Sequence, residues 1–175
     1  MQKNIMTDKL ILVPETDKIL YTECENIDLT NPQINIDQLV EKMKTVMEEN
    51  NGIGLAAPQV GIPYKIFIMV ENSTVLTVIN PEIKEEIGQG VIGKEGCLSF
   101  PALQVSIKRP EQLLVKYATP ENKEVTRTLD GWTARCFNHE TDHVYGITIR
   151  DRASKLGLKM ADKRRQKLLN QRRPS

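Results

Sequence analysis

The chain contains only two histidines, and they stand four residues apart in His139-Glu140-Thr141-Asp142-His143. This is an H-E-x-x-H pattern. On a helix, residues four apart lie one turn apart on the same face, about 6 Å along the axis, so both imidazoles can close on one ion. Glu140 is rotated off that face but can bend toward a water at the ion, where a carboxylate acts as a general base. A solvated helix face could match the pattern by chance. That no other histidine exists in the chain weighs against it.

Two imidazoles do not complete such a site, which needs three protein ligands and one open position. Zincin metallopeptidases take the third from a downstream Glu or His, and neither residue follows His143. Asp151 and Asp162 remain open as carboxylate alternatives. The better candidate is Cys97, within Glu95-Gly96-Cys97-Leu98-Ser99. Cys136 is a rival on the His139 face, but about 10 Å of helix separates it from His143, against metal bonds of about 2.0–2.3 Å. Cys136 therefore reads as pocket lining or core, and Cys24 as an ordinary buried thiol. One thiolate and two imidazoles, judged on ligand chemistry alone, favour zinc. A further segment, Gly52-Ile53-Gly54-Leu55-Ala56-Ala57-Pro58-Gln59-Val60-Gly61, has glycines that permit close backbone approach. No Lys-Ser/Thr follows to make it a phosphate loop, and a helix end with a tight turn explains it equally well.

These residues need a scaffold. Ile36, Leu39, Val40, Met43, Val46 and Met47 recur at helical spacing, which predicts a helix over 36–49, with Asn35 as its cap and Gly52 just past its end. Segments 65–70, 74–80, 113–118 and 125–129 read as strands between Pro, Gly and Asn punctuation. Asp130-Gly131 marks a turn, then 132–145 reads as a second helix and 154–171 as a third. Strands dominate the middle without regular βαβ alternation, so the class is α+β.

With 175 residues, 39% hydrophobic and 27% charged, the chain can bury a core as one domain with an appended element. The apolar run Leu10 to Val13 is too short for a signal segment, and Asp8, Glu15, Asp17, Glu23 and Glu25 speak against a transit peptide. No stretch reaches the roughly 20 apolar residues of a membrane helix. A cytoplasmic protein without membrane or specific DNA partners is expected. Three cysteines do not suggest a disulfide framework. The net charge of +1 conceals ten Lys and Arg against two Asp from Arg150 onward, leaving an acidic remainder.

Taken together, the three motifs resemble the peptide deformylase family. Its patterns are Gly-x-Gly-φ-Ala-Ala-x-Gln (φ apolar), Glu-Gly-Cys-φ-Ser and Gln-His-Glu-x-Asp-His-φ-x-Gly. All three occur here in family order, within a resemblance covering about residues 9–152; Asn138 and Val144 stand where the family usually has Gln and Leu. The resemblance implies antiparallel sheets packed around a central helix carrying H-E-x-x-H, with a C-terminal helix. It divides the chain into a catalytic unit, 1–153, and a basic helix and tail, 154–175. It implies removal of formate from the N-formyl-methionine of nascent polypeptides. Cys97, His139 and His143 would hold one divalent ion, Fe2+ in preference, with Zn2+, Ni2+ or Co2+ as substitutes. Glu140 would move the proton, while the Gln59 amide and Leu98 N–H would meet the developing oxyanion. Ile53, Gly54 and Gly96 would border the peptide. Trp132, Arg135 and Cys136 would line the methionine pocket, which their shared helical face with His139 permits. Glu95 and Arg109 match a family pair bracing the Cys97 segment, although an ordinary surface pair fits the sequence as well. Asp142 would stand behind the ligands.

The tail can be read as a solvated helix docked through its leucines or as a ribosome contact. Under the second reading, removing residues after Lys155 should spare hydrolysis of a short formyl peptide and weaken ribosome binding. A catalytically dead metal- or ribosome-binding module is the remaining alternative; Glu140 and Gln59, which holding an ion does not require, speak against it.

Overall fold

The structure, a computed structural model, describes residues 9–171. Parts of the expected units, 1–8 and 172–175, lie outside the described residues. Helix α1 (Ile36–Glu49) opens where Asn35 Oδ1 accepts from the Gln38 N–H. Its apolar stripe is buried, as the periodicity expects. Its end differs from expectation. Asn51, at φ 53, takes the left-handed position, and Gly52 donates its N–H to Met47 O at 2.8 Å. That is a Schellman closure with Asn in the place glycine commonly fills.

Five strands form one antiparallel sheet in the order β1-β2-β3-β6-β7, comprising Gly54–Ala56, Ile66–Glu71, Thr74–Ile87, Gln112–Ala118 and Glu124–Asp130. Between β3 and β6 the chain leaves this sheet as an antiparallel ribbon, β4 (Val91–Gly96) with β5 (Gln104–Arg109). Helix α2 (Gly131–Val144) follows β7 directly, so the expected Asp130-Gly131 turn is the strand-to-helix junction itself. A short α3 (Ile149–Arg152) and the C-terminal α4 (Lys155–Gln171) complete the chain.

Strand β2 shows why the site is rigid. Side chains alternate across a strand, so Ile66 and Ile68 join Leu39, Met43 and Met47 of α1, while Phe67 and Met69 join Ala134, Phe137 and Val144 of α2. The sheet is thus covered on both faces, and the continuous apolar run Ile66–Val70 follows from that. The Phe67 and Phe137 rings meet edge-on at 5.2 Å, locking α2 down. A third cluster packs Phe100, Leu103, Val105 and Ile107 against Ile149 and Ala161, joining the ribbon to α3 and α4.

The architecture is α+β with antiparallel sheets and a C-terminal helix. The sequence reading overlooks β1 and both ribbon strands, and it ends β3 early at Asn80. Asn80 and Pro81 read as punctuation, but the strand continues to Ile87 through two register shifts. Helix α4 docks through Leu158, Ala161 and Arg165. Leu156, Met160, Leu168 and Leu169 stay exposed, so the helix is not docked through its leucines as a set. No helix among the described residues is long and apolar enough to cross a membrane.

Candidate metal centre and cleft

On α2 the His139 and His143 rings stand 5.0 Å apart at 74°. Cys97 follows the last residue of β4, and its Sγ lies 3.2 Å from His143 Nε2. Donor atoms of the three residues all fall within 4.8 Å of one another, the one such group among the described residues. Metal bonds of 2.0–2.3 Å at tetrahedral angles put ligand atoms about 3.5 Å apart, so the set fits a single ion. His139 Nδ1 lies 3.0 Å from Glu95 Oε2, which leaves Nε2 for an ion and fixes the ring. The carboxylate alternatives are engaged elsewhere: Asp151 accepts from Thr148, and Asp162 pairs with Arg150.

The charges suit such a site. Burial alone would push the Cys97 thiol up, but His143 and His139 outweigh it and hold it well below the usual thiol range. Burial would lower His139, yet its hydrogen bonds to Cys97 and Glu95 raise it to about 10. A thiol held so low beside two imidazoles suits a divalent cation, which binds the deprotonated forms of both ligand types. Glu140 differs. Burial pushes its carboxyl up to about 7, against the pull of both histidines. Its Oε2 is buried without a hydrogen-bond partner in the protein. Gly54 makes room for it, since a Cβ there would collide with Glu140 Oε1.

A buried charge network holds the ligands from behind. Arg109, 3% exposed, donates from Nε and Nη2 to both oxygens of Glu95, and from Nη1 to Asn138 and Asp142. Arg152 closes on Asp142 from the far side with two further bonds. Burial would raise Glu95, but bonds from His139 and Arg109 hold it far below the usual carboxylate range. Glu95 and Arg109 are thus a buried brace rather than a surface pair. Arg152 gave no signal in the sequence, because nothing local marks which charged residue will fold over the site.

In front of the ligands lies a cleft of about 520 Å³. It brings together Ile53, Gly54, Gln59, Gly96, Cys97, Leu98, Trp132, Arg135, Cys136, His139 and Glu140. His143 lies behind, 1% exposed. Ile53 and Trp132 stand exposed at the rim. The Gln59 amide is held at both ends: Oε1 accepts from Ala56 N–H, while Nε2 donates to Ser99 Oγ at 3.0 Å and faces Cys97 Sγ at 3.5 Å. Ser99, read only as part of a motif, is what aims that amide. Arg135 borders the cleft, yet its guanidinium is engaged by Glu95, Ile107 O and Val91 O on the ribbon. It lies flat over Gly93, where a Cβ would meet its Cζ at 2.8 Å. Cys136 is both lining and core, and burial pushes its thiol far up. Cys24 is core, with its thiol raised to about 12 by burial.

A thiolate and two imidazoles converging beside a buried, unpartnered carboxylate, at the floor of an open cleft, define a metal-dependent hydrolase of the H-E-x-x-H kind. The family model for polypeptide deformylase matches residues 9–159. A peptide deformylase of Wolbachia pipientis from Culex pipiens is 42% identical over 174 residues, covering 91% of this chain and 96% of that protein. The crystal structure of Thermotoga maritima peptide deformylase superposes with a TM-score of 0.79 at 36% identity, over 84% of this chain and 99% of that one. A Met-Ala-Ser-bound peptide deformylase of Acinetobacter baumannii gives 0.78 at 31% identity, over 84% and 99% respectively. The chain belongs to the polypeptide deformylase family. It is a hydrolase that removes the formyl group from the N-formyl-methionine of nascent polypeptides.

Proposed function

We propose that Cys97, His139 and His143 hold one ferrous ion and that Glu140 moves the proton in deformylation. The observation that carries this is the Glu140 carboxylate, buried against the ligand pair with an oxygen that no protein group satisfies. When bound, the ion supplies Lewis-acid chemistry, polarising the formyl oxygen and acidifying water. Glu140 takes a proton from the attacking water and delivers it to the leaving amine, a role that its buried position beside the ligand pair suits. The Gln59 Nε2–H, aimed beside the thiolate, and the Leu98 N–H meet the oxyanion; losing one such donor typically costs about 3 kcal/mol.

The peptide runs along β1. That strand pairs with β2 on one side only, so its other edge faces the cleft, and Gly54 offers backbone bonds there. Ile53 and Gly96 border the chain. Trp132 and Cys136 receive the methionine side chain. Arg135 contributes to that pocket by holding α2 against the ribbon, since its charge is already engaged. The product-like Met-Ala-Ser bound to the Acinetobacter relative supports this substrate class. Iron is preferred over zinc, nickel or cobalt on the resemblance, and the site would act in the cytoplasm, where formylated chains are made. The solvent face of α4, with Lys159, Lys163 and Lys167 exposed, supports contact with the ribosome, with 154–175 as an appendage to the catalytic unit 1–153.

The test is formate release from formyl-Met-Ala-Ser by protein prepared without oxygen and loaded with ferrous iron, beside a peptide cleavable only at an internal bond. Formate without internal cleavage is the expected result. Internal cleavage alone would point to an endopeptidase, and neither product to a module without catalysis.

A further inference from the structure

The cleft wall from Cys97 to Leu103 belongs to no helix or strand. It leaves β4 and rejoins β5 through two successive turns, Phe100 N–H to Cys97 O and Leu103 N–H to Phe100 O. Ala102 within it sits at φ 62, a left-handed conformation that a side chain disfavours and that persists only where surroundings enforce it. Leu98, Phe100, Pro101, Ala102 and Leu103 of this wall line the cleft.

What lies outside the wall is α4. Ala161 and Leu158 pack in the same cluster as Phe100, Leu103 and Cys97. One turn on, Arg165 reaches past them. Its Nε donates to Pro101 O at 2.8 Å, and its Nη2 donates to Glu15 Oε2 at 2.6 Å. The side chain is only 15% exposed. Glu15 lies in the segment whose Val13 N–H bonds Gln59 O at 2.9 Å. Arg165 therefore ties the wall from outside to the segment that backs Gln59, while Gln59 and Ser99 join the wall from inside. A planar guanidinium can serve a carbonyl and a carboxylate at once, which a lysine cannot do in one fixed geometry.

We propose that Arg165 is a positioning residue for peptide binding: it clamps the Cys97–Leu103 wall against the Gln59 segment. This rests on the deformylase reading of the cleft. His139, His143 and Glu140 stand on α2, and Cys97 and Leu98 lie at the wall's root, nearer β4 than the Pro101 carbonyl that Arg165 holds. Loss of the clamp therefore loosens the peptide's groove more than it disturbs the chemical step.

The test uses iron-loaded full-length chains carrying Arg165→Ala, Arg165→Lys or, as a charge-matched control from the exposed neighbour, Arg164→Ala. Losing a net hydrogen bond at this tip should raise KM for formyl-Met-Ala-Ser about two- to tenfold in Arg165→Ala, with kcat within about twofold. Arg165→Lys should fall between, and Arg164→Ala should match wild type. The chain's single tryptophan, Trp132 at the cleft rim, gives an independent readout: its fluorescence should report the same loss in affinity for Met-Ala-Ser. Unchanged KM and peptide affinity in Arg165→Ala, or a fall in kcat at constant KM, would overturn the clamp. If the alanine variant fails to fold, wild-type values in Arg165→Lys would overturn it. Wild-type protein that binds Met-Ala-Ser yet releases no formate from formyl-Met-Ala-Ser would instead count against the deformylase assignment, and the affinity comparison would still decide the clamp.

Discussion

Helix α2 and the Cys97–Leu103 wall meet at the same three donor atoms but are held there by different forces. Packing holds α2: Ala134, Phe137 and Val144 sit in a fully covered apolar cluster on the five-stranded sheet. The wall hangs from a two-stranded ribbon, where Phe100 and Leu103 pack in a smaller cluster with Ile149 and Ala161, and charged clasps reinforce it: Arg109 and Arg135 on Glu95 at its root, Arg165 on Pro101 at its tip. Two of the proposed ligands and the proposed proton carrier thus stand on the rigid side, and the third proposed ligand and the expected oxyanion N–H on the side reinforced by clasps. The difference separates the chemistry from the groove. Changes on α2 should strike the reaction, and changes at the clasps should strike stability, ion retention or substrate affinity according to distance from the sulfur.

The largest separation should come from Glu140→Gln, which keeps the shape and removes the proton carrier. Formate release should fall by about 10³-fold while the ion is retained, as checked by turnover and metal content on one preparation. A variant that lost its ion would blur the division, because Glu140 would then belong to the ligand set. Next is Arg109→Ala, which removes the guanidinium shared by Glu95 and Asp142 and leaves them to Arg135, His139 and Arg152. Breaking a buried pair from one side costs up to about 3–5 kcal/mol, and the remaining partners should hold the loss to the lower end of that range, readable as a shift in the urea unfolding midpoint. A shift of only a few tenths would mean that the wall stands without its root clasp.

A smaller effect sharpens the same contrast through pH. Glu140 is raised from an ordinary 4.5 to about 7 in the ion-free fold. Across that interval the native protein keeps a proton that the unfolded chain has released. Its contribution to stability is therefore present at low pH and lost as pH rises through about 7. The ion-free wild type should lose stability across this window relative to Glu140→Gln, as followed by thermal melting of both proteins. Parallel curves would mean that the carboxylate is already satisfied.

The smallest effect belongs to α4. Were it a mere appendage, truncation after Lys155 would leave hydrolysis of a short peptide untouched. With Arg165 as a clamp, the truncated chain should show a raised KM at nearly constant kcat.

The α2 side was legible in the sequence and the wall side much less so. Histidines four apart need only helical geometry to share a face, and the apolar spacing of α1 is equally local. The three motifs marked the cleft residues, and the resemblance they carry brought in the wider set. Strand β4 escaped notice because Gly93 and Gly96 look like turn residues, whereas Gly93 is where the Arg135 guanidinium lies. The chain Arg152–Asp142–Arg109–Glu95–His139 joins α3, α2, β5 and β4. No spacing rule links charges that far apart in sequence. Arg165 was hidden in the same way, as one of many basic residues on a helix whose docked face could be identified only once β5 was in place.

The most direct test of the proposed centre is the iron content of anaerobically prepared Cys97→Ala beside wild type, both folded and passed through the same desalting step. Wild type should carry one ferrous ion per chain, and the variant should carry almost none, although its two imidazoles are intact. Equal iron in the two proteins would contradict the three-ligand site.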